Sequence, residues 1–220
     1  MTKPMHDSDD LRADPIVFHV DDARRLGPMR QTFRRPVLVP MDGTKIQATK
    51  HPEVCEHHGV LHFGDHAFTH PLNARHCPYQ KGQRLWVRET WFCNLFGYGK
   101  YKKDEPAKDQ EATWRKETVY RSDGEFHDHF PEDYLDARWN PPQHMPRWAS
   151  KWGTMVVLSV SMQRLHAMTE VDARKEGFAS FTRDCKLPRF AKEWDKSFGR
   201  IAPWSDNPWT WVVEYSVAGK

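Results

Sequence analysis

The chain has 220 residues, 38% hydrophobic and 13% aromatic with ten Trp, and a formal net charge of +3. Aromatic bulk of that kind supports one large folded domain with long polar loops, and the mild charge excludes a histone-like coat that holds nucleic acid by charge alone. Four cysteines (Cys55, Cys77, Cys93 and Cys185) are too sparse for a disulfide framework and fit a reducing cytosol.

In chain order, residues 1–15 read as a disordered tail, polar and acidic, with no signal or transit peptide. No segment approaches the ~20 apolar residues that span a bilayer. Ile16-Val17-Phe18 is a short apolar run. Asp21 to Leu26 opens a helix capped by Asp21 and stopped by Gly27-Pro28. Val37-Leu38-Val39 is a strand, and Asp42 to Gln80 is rich in His, Gly and Pro with little periodicity. Arg84 to Arg88 alternates as a strand after a Gly82 turn, and Glu117 to Arg121 is another, ended by an Asp123-Gly124 turn. A polar insertion around 94–142 surrounds that second strand. Gly153 to Val160 is the strongest strand signal. Thr169 caps a short helix with Asp172 at its third position and Gly177 as its stop. Phe190, Trp194 and Phe198 share one face of a longer helix ending at Gly199, and Trp209 to Tyr215 is a closing strand. The sum is an α+β fold: a small, mostly antiparallel barrel with short flanking helices and long loop insertions, a single domain over 16–217.

The order of motifs carries a resemblance. Phe18 is followed by Arg34-Arg35-Pro36-Val37, Cys77-Pro78-Tyr79, and Gly82-Gln83-Arg84-Leu85-Trp86-Val87-Arg88-Glu89. Tyr120-Arg121-Ser122-Asp123-Gly124, the segment His144 to Ser150, the Thr169 to Gly177 helix and Asn207 to Glu214 complete the series. This resembles the ASCH-domain proteins of bacteriophages and prophages, which share the PUA-like barrel. The resemblance implies a phage-encoded protein in the bacterial cytoplasm that binds RNA or a nucleotide in a cleft, with DNA as a further partner and, in some relatives, a catalytic activity. Relatives resembling N4-acetylcytidine amidohydrolases use a Lys and a Thr from an N-terminal Gly-x-Lys-x-x-Thr-x-Arg-like motif with a Glu from a later strand. Here Gly27 to Arg35 occupies that place. Anchored on Arg34-Arg35, Arg30 stands at the Lys position and Phe33 at the Thr position. Shifted by one, Thr32 restores the hydroxyl and Met29 replaces the Lys. Arg stays protonated and cannot serve as the base a desolvated Lys provides.

Glu89 matches the expected carboxylate. It reads as the catalytic or base-reading group, or as a strand-end partner of Arg34, Arg35 or Arg88. Arg30, Arg34 and Arg35 are phosphate-contact candidates because guanidinium forks match phosphate oxygens; a solvated Arg run is the plainer reading. Arg88 and the group His144, Arg147, Trp148 and Ser150 form the other wall of the expected cleft, with Trp148 stacking on a base or packing in the core. Trp86 reads as core. Cys55 and His57, with His76 and Cys77 about twenty residues on, have zinc-ligand chemistry but no clean paired spacing, and buried thiols with surface histidines are the alternative. Three function classes follow: an RNA- or nucleotide-binding module, a hydrolase on acylated nucleosides or RNA, and a phage accessory protein docking on a protein partner.

Overall fold

The computed structural model describes residues 13–26, 30–41, 44–47, 54–57, 60–63, 70–71, 77–93, 117–124, 139–178 and 186–217. In chain order the elements are β1 (Asp14–Val17), α1 (Val20–Arg24), β2 (Thr32–Pro36), β3 (Leu38–Met41), β4 (Thr44–Gln47), β5 (Val54–His57), β6 (Val60–Phe63) and β7 (His70–Pro71). Then come β8 (Arg84–Arg88), β9 (Trp91–Cys93), β10 (Thr118–Tyr120), β11 (Met155–Arg164), α2 (Glu170–Lys175), α3 (Lys186–Phe198) and β12 (Trp209–Val217). Short 3-10 turns cover Pro142–His144, Arg147–Ala149, Leu165–Ala167 and Trp204–Asp206. The fold is α+β with few, mostly short helices, and among the described residues no barrel closes.

Contacts group the chain into two compact units. The first comprises 1–26, 84–156 and 217–220, the second 27–83 and 157–216. In the first unit β8 lies between β1, which runs parallel to it, and the first two residues of β11, which run antiparallel. Leu85, Trp86 and Val87 are buried in succession rather than alternately, so both faces of β8 are covered by packed side chains. Asp14 and Pro15, assigned to the tail by sequence, pair with Leu85 and Trp86 in β1. Helix α1 starts at Val20 with His19 as its N-cap, two residues before the predicted Asp21 cap, and Asp22 holds Arg25 at 3.0 Å. Strands β9 and β10 form an antiparallel ladder with Tyr120 opposite Trp91. Around them Trp91, Cys93, Tyr120, Met145, Trp148 and Ala149 form a buried cluster.

In the second unit the remainder of β11 is followed by β12 and then β2. Strand β12 alternates as predicted: Trp209, Trp211, Val213 and Tyr215 are buried, while Val212 and Glu214 face the other way. The Arg-rich segment, to which the sequence assigns no element, is strand β2, because Thr32–Pro36 pairs antiparallel with Thr210–Glu214. Its pleat turns Phe33 onto Tyr79 and Tyr215, at ring-centroid distances of 5.3 and 5.8 Å. The predicted Val37-Leu38-Val39 strand overlaps β3, and the stretch after Asp42 predicted without periodicity contains its antiparallel partner β4 and the antiparallel set β5–β6–β7. Helix α2 carries the predicted cap as a full capping box between Thr169 and Asp172, and Gly177 takes φ 84°, a left-handed conformation that costs glycine nothing. Helix α3 buries Phe190 and Trp194 with Phe178, Leu165 and Ala202, as its aromatic spacing predicts.

Candidate functional site

In the first unit, β8 ends at Arg88 and the chain turns through Glu89 and Thr90 into β9. Continuing the β9–β10 register past Tyr120 brings Ser122 opposite Glu89, and the Arg121 amide donates to the Thr90 carbonyl at 3.0 Å. A third segment closes the site. The Ser150 hydroxyl donates to the Val87 carbonyl at 2.9 Å, and this fixes the following residues, Lys151 and Trp152, beside Glu89. The Glu89 amide donates to the Met145 sulfur at 3.3 Å, tying down the base of the carboxylate.

Glu89 is only 1% exposed. One carboxylate oxygen accepts from Trp152 Nε1 at 3.1 Å, and the other accepts from the Ser122 hydroxyl with Lys151 Nζ 3.7 Å away. Lys151 Nζ donates to Ser122 Oγ at 2.7 Å and to Asp123 Oδ1 at 2.6 Å, and sits 4.7 Å above the Tyr120 ring. The result is a chain from Asp123 through Lys151 and Ser122 to Glu89 and Trp152. Burial pushes the Glu89 carboxyl above its ordinary value; Lys151, Ser122 and Trp152 pull it back while Asp123 adds to the rise. A carboxylate with raised proton affinity, accepting from a hydroxyl whose oxygen faces an ammonium, is equipped to take a proton from that hydroxyl. The Lys151 cation then stabilises negative charge that develops on oxygen.

The other predicted residues distribute differently. Arg34 lies in the interior. Its side chain is 1% exposed, paired with Glu176 and hydrogen-bonded to Gln163 at 2.9 Å, because a buried guanidinium must find a carboxylate. Arg30 is also buried, donating to the Thr32 carbonyl at 3.2 Å. Trp148 follows its core-packing reading. It makes a T-shaped contact with Trp91, ring centroids 6.1 Å apart, and is buried inside the core cluster. Ser150 is spent on backbone carbonyls, a positioning role. Arg35 is half-buried over the Phe33 ring at 5.2 Å, Arg88 over Trp86 at 4.7 Å, and Arg147 donates to Thr154 at 3.5 Å. His144 is exposed on its 3-10 turn.

Of the zinc candidates, Cys77 is buried beside Val37, Trp209 and Trp211; burial raises its thiol, its sulfur accepts from the Tyr79 amide, and it is a neutral core residue. His76 and the side chains of Cys55 and His57 lie outside the described residues. Among the described residues no three metal-type side chains converge. Sequence reasoning missed Ser122, Lys151 and Trp152, which stand 33, 62 and 63 positions from Glu89 and join it only through pairing. Compared with protein-family models, curated proteins and solved structures, the chain matches none.

Proposed function

We propose that the Glu89 site hydrolyses an acyl or amide group, with Ser122 as nucleophile. Glu89 takes the hydroxyl proton as Ser122 Oγ bonds to the acyl carbon, then returns it to the departing amine or alcohol as the carbon–heteroatom bond breaks. Water, deprotonated by the same carboxylate, releases the acid and restores Ser122. Lys151 stabilises the oxyanion, and Trp152 holds the carboxylate in place. The observation that carries the reading is the continuous hydrogen-bonded chain from Lys151 through Ser122 to a buried carboxylate. The substrate class, an acylated nucleoside or nucleotide, comes from the resemblance to ASCH-type, PUA-like proteins, as do a phage origin and a cytoplasmic setting. The missing N-terminal Lys and Thr of that resemblance have chemical equivalents here in Lys151 and Ser122.

The test is chromatographic detection of deacylation in a panel of acylated nucleosides that includes N4-acetylcytidine. Turnover should drop by roughly 10²-fold or more in both Ser122→Ala and Glu89→Gln, with the melting profile retained. Full activity in Ser122→Ala overturns the nucleophile assignment. A second reading, RNA or nucleotide binding without turnover, draws on half-buried cations held over rings: Arg35 over Phe33, Arg88 over Trp86, Lys151 over Tyr120. Salt-dependent binding of labelled RNA with no deacylation in any substrate favours it.

A further inference from the structure

The second unit holds a cavity of about 380 Å³, inside the ~300–1,000 Å³ span of small-molecule pockets. Its floor follows from the pleat. Thr32 and Arg34 face it from β2, Val212 and Glu214 from β12, and Ser159, Ser161 and Gln163 from β11. Helix α2 adds Asp172 and Lys175 at the rim.

Two features indicate that this is a site and not a gap. Thr32 is 5% exposed, and its hydroxyl is buried with no hydrogen-bond partner among the described residues. Arg34 Nε is likewise buried without a partner, although the rest of its guanidinium is engaged. Buried polar atoms left unsatisfied are costly, and a ligand that supplies their partners recovers that cost.

The lining identifies the ligand class. Among the lining residues Arg34 and Lys175 are matched by Asp172 and Glu214, and Glu176 also pairs with Arg34 from outside the lining, so the cavity has no excess positive charge for an anion. Its hydroxyls, on Thr32, Ser159 and Ser161, both donate and accept, as alcohol groups do, while the Gln163 amide is engaged by Arg34 and the Ala167 carbonyl. Glu214 accepts from the Ser159 hydroxyl at 2.9 Å on one oxygen, and Lys175 lies 3.8 Å from the other, so a carboxylate acceptor and an ammonium donor stand side by side. Met162 and Val212 give a small apolar surface for C–H groups. We propose that this cavity binds a neutral polyhydroxylated molecule of pentose or hexose size, with Thr32 and Glu214 as its recognition groups. This site shares no residue with the Glu89 chain.

The experiment is calorimetric titration and saturation-transfer NMR of the full chain with D-ribose, D-glucose and inorganic phosphate. One of the sugars should bind saturably, and Thr32→Val and Glu214→Gln should each weaken it roughly tenfold. Glu89→Gln should leave the affinity unchanged, so failure of the hydrolytic reading does not touch this one. Thr32→Val keeps the side-chain shape, and a retained melting profile separates lost recognition from lost folding. Absence of saturable binding by either sugar, tighter binding of phosphate than of sugar, or unchanged affinity in both variants would overturn the proposal.

Discussion

Glu89 shows how one residue's surroundings set its chemistry. Its carboxyl is raised above the ordinary range chiefly by burial, so a base of this kind loses activity to protonation at a higher pH than an exposed carboxylate does. The acid limb of the pH–rate profile for deacylation should therefore lie above the ordinary carboxylate range, which a pH series of kcat/KM measures. Stability carries the same signature. The folded carboxyl holds its proton more tightly than the unfolded one, so the associated stability is complete below the ordinary value and is lost as pH rises through the raised value. Across that window the melting temperature of the native chain should fall relative to Glu89→Gln. Arg34 makes a separate prediction. Truncation to Ala strands the Glu176 carboxylate in the interior and should cost about 3–5 kcal/mol in denaturant unfolding, a penalty far beyond that of an exposed Arg.

Elements whose signals are local were legible in advance. The Thr169–Asp172 capping box and the Gly177 stop need only neighbouring residues, and the structure has both. Thr169→Ala should cost about 1 kcal/mol by thermal or denaturant unfolding. The aromatic stripe of α3 likewise follows from helical spacing, and Trp194, whose indole donates to the Ala202 carbonyl at 2.7 Å, should cost about 3–5 kcal/mol when truncated to Ala. Strand β2 was not legible. Thr32 to Pro36 mixes charge, aromatic and proline with no alternation to read, and only pairing with β12 gives it extended structure. The same holds for β5 to β7, whose His-rich segments lack the apolar rhythm of a half-buried strand.

At the scale of the molecule, a net charge of +3 and a cavity with balanced charges argue against tight, nonspecific hold on nucleic acid. Among the described residues no helix is long and apolar enough to cross a membrane. Sequence by itself determined the α+β class, the Arg84–Arg88 strand, the caps of α2 and the buried face of α3, because each rests on residue type and short-range spacing. Tertiary structure alone decided the division into two units and the burial of Arg34 and Trp148. It also decided the meeting of Ser122, Lys151 and Trp152 at Glu89. Those outcomes depend on strand register and on which carboxylate a guanidinium reaches, and both are set by pairing between segments far apart in the chain.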